Sequence, residues 1–309
     1  MKGLSMAAPA PWASTKVASA PSGPSYKKLA MSESILQNEG TIRLTIFLGV
    51  LAGMALWELA APRRILTQNK PYRWFGNLGI VVLNTALGRL LFPILAVGAA
   101  YWAEQNFWGL FNWLALPGWL EVAVAAALLD LTVYWQHRLF HKIPLLWRLH
   151  RMHHADPDFD VTTALRFHPL KIALSMLIKL GAVAILGPAA LAVLIFEVLL
   201  NGTAMFNHGN VRLPLGLDRW LRLLVVTPHM RRVHHSVEAG EYNSNFGFNL
   251  PWWDRLFGSY RAQPVLGHDE MRIGLPEYGG GICANLIWML VLPFKPLQAE
   301  SQGIEHDQG

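Results

Sequence analysis

The side chains in this sequence best suited to chemistry are histidines, and they are unevenly spread. Ten of the twelve lie between His137 and His235. The stretch DLTVYWQHRLFHKIPLLWRLHRMHH, from Asp130 to His154, carries His137, His141, His150, His153 and His154. A second group follows at His229, His234 and His235. On an α-helix, positions i, i+3 and i+4 share a face. His137 and His141 therefore form one pair, and His150, His153 and His154 one triplet. His234 and His235 extend a face whose i position is Arg231. Three such faces converging on one centre would make a metal site, because imidazole suits iron, copper or zinc. Their number favours two ions, since a single catalytic zinc takes three protein ligands and a water. Iron with open positions would activate dioxygen, whereas zinc would activate water for hydrolysis.

The rest of the chain must hold these faces together. Of 309 residues, 53% are hydrophobic and 15% charged, against roughly 25% charged in soluble domains. That balance points to a membrane. The net charge of +6 comes from Lys and Arg beside apolar segments, the juxtamembrane pattern rather than that of a nucleic-acid binder. One cysteine, Cys283, leaves no disulfide framework and no iron–sulfur site.

Residues 1–38 are rich in Ala, Pro and Ser and read as a disordered tail. Apolar helices are expected at 44–60, 74–102 and 119–135, with 171–206 as a helical hairpin broken at Gly187-Pro188. Arg89 falls near the middle of the second of these, so it should face the bundle or snorkel. Lys179 and Glu197 lie at similar distances from the hairpin break and are expected to pair. The segment 282–294 is too short to span; it should lie in the interface or pack on the bundle. By the positive-inside rule the basic 63–73 loop and the histidine segments are cytoplasmic. The fold expected is an all-α integral membrane protein, with about four transmembrane helices and a cytosolic, histidine-rich, metal-binding cap.

HRLFH, HRMHH and the VHHS of TPHMRRVHHS resemble the histidine boxes of the fatty acid hydroxylase (sterol desaturase) superfamily. LWRLHRMHHAD, TALRFHPL, FNHGNV, YNSNFGFNLPWWDRLFGSY and IGLPEY extend the likeness over about residues 70–295. The nearest likeness is to alkylglycerol monooxygenase-like and bacterial members. The resemblance implies an integral membrane, non-haem di-iron, O2-dependent oxidoreductase that hydroxylates or desaturates a lipid acyl, alkyl or sterol chain. Residues 39–295 are expected to form the membrane-embedded hydroxylase-like domain and 296–309 a polar tail. It implies as metal ligands His137 and His141 (first box), His150, His153 and His154 (second), the isolated His208, and His234 and His235 (last). The family usually has His where this chain has Arg231. Either His168 or His229 fills that vacancy, or one metal keeps an open position, or activity is impaired. Asp130 shares a helical stripe with His137 and His141. It could orient a ligand histidine or pair with Arg138 or Arg148. Asn243, Asn245, Trp253 and Asp254 read as turn formers, and His268 and His306 as solvated.

The cofactors so implied are two iron ions and O2. The sequence has no dinucleotide fingerprint or haem-attachment motif, so electrons must come from a separate electron-transfer protein. The expected location is a bacterial cytoplasmic membrane, or the endoplasmic reticulum in a eukaryote, with the site on the cytoplasmic side. Two other readings compete. A zinc-dependent membrane hydrolase would need a carboxylate base such as HExxH supplies, which the sequence lacks. A metal transporter or sensor would string its ligands along the spans.

Overall fold

In hydrocarbon a long apolar run can satisfy its backbone only as a helix, and helices are what these runs form. The structure, a computed structural model, describes residues 24–92, 94–114 and 116–296. Among the described residues there is no strand, only two isolated bridges. Helices α1 (Pro24–Ala60), α2 (Lys70–Leu91), α3 (Ala96–Gln105), α4 (Leu110–Trp113) and α5 (Gly118–Lys142) are followed by α6 (Pro144–His154), α7 (Pro169–Leu186) and α8 (Ala190–Asn207). Then come the short α9 (Leu215–Leu221) and α10 (Pro228–His234). Five segments are long and apolar enough to cross a membrane: Gln37–Ala60, Lys70–Trp113, Gly118–Lys142, Pro169–Leu186 and Ala190–Asn207.

Some boundaries differ from the sequence reading. Residues 1–23 of the Ala/Pro/Ser-rich tail lie outside the described residues, whereas 24–38 form the first turns of α1. The polar tail beyond Pro296, with His306, also lies outside them. The expected 74–102 span is interrupted after Leu91. Arg89 is thereby exposed in the last turn of α2 rather than held at mid-helix.

The hairpin forms as expected. Gly187 ends α7 in the left-handed region, at φ 58°, which Gly adopts without a Cβ penalty. Gly109, at φ 93°, packs directly on it. A Cβ on Gly109 would lie 2.5 Å from the Gly187 Cα, so this crossing requires glycine. Lys179 does pair with Glu197, and Arg43 from α1 joins them at 2.6 Å. Between α3, α5, α7 and α8 lies an apolar core of Val97, Ala100, Leu129, Val183, Val193 and Phe196. The segment from Leu286 packs on the bundle, burying Trp288, Met289 and Leu292 against Ile80 and Met152.

A polar clamp ties the helices to the loop after α6. Buried Arg73 makes a bidentate contact with Asp156 (3.1 and 2.8 Å) and a third bond to Asp160 (2.7 Å). Glu58 accepts from Val161 N at 2.7 Å and Asn210 N at 2.8 Å. Breaking one side of such a buried pair costs about 3–5 kcal/mol, which makes the loop leaving the histidine triplet rigid.

Candidate metal centre

The first two histidine boxes meet because of a proline. The residue before Pro disfavours helical backbone, so α5 stops at Lys142 and α6 restarts at Pro144. That single-residue break turns the triplet on α6 back onto the pair on α5. The ring centroids of His137 and His150, and of His141 and His150, are each 5.0 Å apart. Thr227 caps α10 and Pro228 takes its first position, where each residue type is favoured. This helix brings His234 within 4.7 Å of the His141 ring and His235 within 4.4 Å of the His154 ring.

Two groups of ligand atoms result. His137, His141, His150, His154 and His234 form one, and His153, His154 and His235 the other; within each, one nitrogen per ring lies within 4.8 Å of all the rest. His208 closes the second group, its Nε2 being 3.2 Å from His153 Nε2. All eight rings of the expected set thus converge at one end of the bundle.

Backbone carbonyls aim several rings. His137 Nδ1 contacts Phe246 O at 2.7 Å, His234 Nδ1 contacts Ser244 O at 2.7 Å, and His208 Nδ1 contacts Ala204 O at 2.8 Å. Each ring donates from Nδ1, which leaves the Nε2 lone pair facing inward. The 244–247 segment that supplies two of these carbonyls is itself pinned. Asn245, at φ 52°, bonds Met230 O, Arg261 O and Arg261 N. Asp254 accepts from Phe246 N and Gly247 N, both at 2.8 Å, and from Ser259 Oγ at 2.7 Å. Burial pushes the Asp254 carboxyl up to about 6. The turn-forming role expected of Asn245 and Asp254 is what these bonds provide.

The site fits a metal on its own chemistry. Both nitrogens of His235, and Nε2 of His154 and His234, are buried without a hydrogen-bond partner. Leaving a buried polar atom unsatisfied costs about 1–3 kcal/mol, and several in one place call for a shared occupant. Burial first, then neighbouring charges, holds His150, His153, His154, His234 and His235 well below the ordinary 6.5. The rings are therefore neutral at neutral pH, the state in which imidazole coordinates. Both ligand groups consist of histidines alone.

The two candidates for the vacancy at Arg231 lie elsewhere. His168 caps α7, its Nδ1 accepting from Leu170 N at 3.2 Å while Nε2 faces Leu290 O at 3.2 Å. With both nitrogens engaged, it is not placed to coordinate. His229 sits 3.5 Å from Asp218 and stacks on His268 at 4.6 Å. His268 is therefore buried, contrary to the expectation that it is solvated. Arg231 itself donates to Gly247 O at 2.6 Å and lies over the Phe248 ring. Burial lowers its guanidinium to about 10, and its charge in turn helps depress His154, His208, His234 and His235.

Asp130 touches no histidine, Arg138 or Arg148. Instead it accepts from Asn249 N (3.2 Å), Leu250 N (3.1 Å) and Trp253 Nε1 (2.9 Å). It anchors the loop whose upstream end carries the Phe246 carbonyl, so its influence on His137 runs through the backbone. Sequence reading missed Arg73, Glu58 and the Ser244 and Phe246 carbonyls. Charge in and beside an apolar helix was the available signal for the first two; nothing in residue identity marks a carbonyl.

A surface pocket of about 330 Å³ reaches the cluster at His141, between Arg138, Lys142, Asn243, Phe246 and Ser259.

Comparison with known proteins agrees with this geometry. Residues 122–259 match the fatty acid hydroxylase family model. The chain is 25% identical over 264 residues to an ornithine lipid hydroxylase of Rhizobium tropici, covering 81% of this chain and 74% of that protein. It is 32% identical over 135 residues to human alkylglycerol monooxygenase, covering 43% of this chain and 29% of that protein. A putative sterol desaturase of Arabidopsis thaliana is 28% identical over 171 residues, covering 52% of this chain and 54% of its own length. The chain thus spans about three quarters of the first of these relatives and under a third of the second. No solved structure gives a significant match. With the five apolar segments, these findings describe a multi-pass membrane protein whose residues 122–259 match the fatty acid hydroxylase family model.

Proposed function

We propose that this protein is a membrane-bound, non-haem di-iron, O2-dependent oxidoreductase that hydroxylates a lipid acyl, alkyl or sterol chain. The observation that carries the reading is the convergence of eight histidines, seven buried and His141 half-buried, with unpaired nitrogens among them. His137, His141, His150, His154 and His234 would hold one metal, and His153, His208 and His235 the other, with His154 near both. Iron in these positions supplies activation of O2, and the overall change is C–H plus O2, two electrons and two protons to C–OH plus water.

The protein's own residues do the rest. The Ser244 and Phe246 carbonyls keep His234 and His137 in the coordinating tautomer. Phe140, Phe159, Phe167 and Phe246 pack against the imidazoles and keep water from the centre. The chain carries no redox cofactor motif of its own, so a separate electron-transfer protein is the reading that fits. Arg63, Arg64, Arg148 and Arg151 near the span ends favour a cytoplasmic site under the positive-inside rule. A hydrolase would need a carboxylate base beside the metal. The nearby carboxylates Asp130, Asp156, Asp160 and Asp254 are instead bound to backbone N–H groups, Trp253, Ser259 or Arg73.

Metal analysis of the purified protein tests this, together with lipid profiling of cells with and without the gene. About two irons per chain, by the ligand count above, and a product heavier by one oxygen are expected. Bound zinc that iron cannot replace with retention of activity would refute the reading.

A further inference from the structure

The pocket at His141 lies beyond the apolar part of α5, at the polar end of the bundle. Arg138, His141 and Lys142 stand at i, i+3 and i+4 and so share one helix face. The wall opposite is built from Asn243, Phe246 and Ser259. Arg138 NH1 donates to Tyr134 Oη at 3.0 Å and to Phe257 O at 3.2 Å. Those bonds fix the guanidinium at the rim and leave Nε and NH2 without a protein partner. Lys142 is exposed and makes no ion pair among the described residues. No carboxylate lines the cavity. The C-terminus of α5 opposes an anion there with roughly half a negative charge, which two full positive charges outweigh.

We infer that this pocket receives an anionic lipid head group, a carboxylate or phosphate, and so presents a carbon near the head group to the histidine cluster. The inference rests on the proposed lipid hydroxylase reading and names its substrate class. Arg138 supplies a forked pair of donors suited to such an oxyanion. Lys142 adds a mobile point charge. A cavity of about 330 Å³ is near the lower end of small-molecule sites. It holds a head group and the first methylenes, not a whole acyl chain, so the remainder of the lipid lies along the apolar helix faces. Arg138 and Lys142 are thus specificity-determining residues rather than catalytic ones.

The test uses the full-length, iron-loaded protein in non-ionic detergent. Calorimetry would follow binding of dihexanoyl phosphatidate, N-lauroylglycine, neutral dihexanoylglycerol and inorganic phosphate. The two anionic lipids should bind roughly tenfold or more tighter than the neutral one, and that preference should weaken with salt. The R138Q/K142Q variant should lose the preference while keeping its iron. Because Arg138 also braces Tyr134, Lys142→Gln alone provides a second reading and should lose part of it. Arg219→Gln, an exposed cation elsewhere, should change nothing. Equal binding of neutral and anionic lipids, or a preference that survives R138Q/K142Q, would overturn the inference. Inorganic phosphate binding as tightly as phosphatidate would overturn the lipid assignment. Failure of the functional reading is separable: it would show as absence of bound iron, whatever the head-group preference.

Discussion

Removing Asp130 should loosen a metal ligand it never touches. Its carboxylate is 1% exposed and accepts three hydrogen bonds, from Asn249 N, Leu250 N and Trp253 Nε1. In Asp130→Ala all three donors are left buried without an acceptor. At about 1–3 kcal/mol each, the cost is about 3–6 kcal/mol once the loop relaxes towards water. Asp130→Asn keeps one oxygen, which can still accept two of the three bonds, so the cost falls to about 1–3 kcal/mol. The segment from Phe246 to Leu250 is short, and movement at its anchored end displaces the carbonyl that holds His137 Nδ1. Loss of such an orienting contact typically weakens metal affinity about 10–100-fold. Chelator competition and metal content of the purified variants, with melting curves on the same samples, measure both effects. The expected order is wild type, then Asn, then Ala. If Asp130→Ala melts and binds metal as wild type does, the route from carboxylate to loop to carbonyl to imidazole is wrong.

Further outcomes follow from other contacts. Arg231→His places an imidazole on the His234/His235 face and removes a buried positive charge; metal affinity should rise, and a fall would show that the bond to Gly247 O matters more. His168→Gln should leave metal content intact and cost about 1 kcal/mol of stability through the lost cap, whereas His154→Ala should lower metal content sharply. The apo protein should lose stability as pH falls below 6.5, since the unfolded histidines protonate there while burial keeps the folded ones neutral to well below that value. A melting temperature that is flat between pH 7 and pH 5 would contradict this. Lys179→Glu should destabilise the bundle, and adding Glu197→Lys should rescue it only in part, because Arg43 then faces a lysine; full rescue in thermal melts would argue against the Arg43 contact.

Apart from His208, which only the family resemblance marked, the sequence by itself determined the membrane class, the helix-rich fold, the hairpin at Gly187 and the histidines that converge. These are local properties: apolar length, a break at Gly-Pro, and imidazoles repeating at the period of a helix. Periodicity says which residues share a face but not what that face meets. Residues 137–154 and 234–235 are far apart in the chain, and only the turn at Pro144 and the seating of α10 bring them together. The ambiguity over His168 and His229 had the same origin. Each is an acceptable ligand by type, and only tertiary packing spends one as a helix cap and buries the other beside Asp218 and His268. The interruption after Leu91 did carry a signal, because Pro93 disfavours helical backbone at Phe92, but the apolar composition continuing through it concealed the break. Least visible of all were the Ser244 and Phe246 carbonyls that aim the rings, since every residue has a carbonyl and only the folded backbone decides where it points.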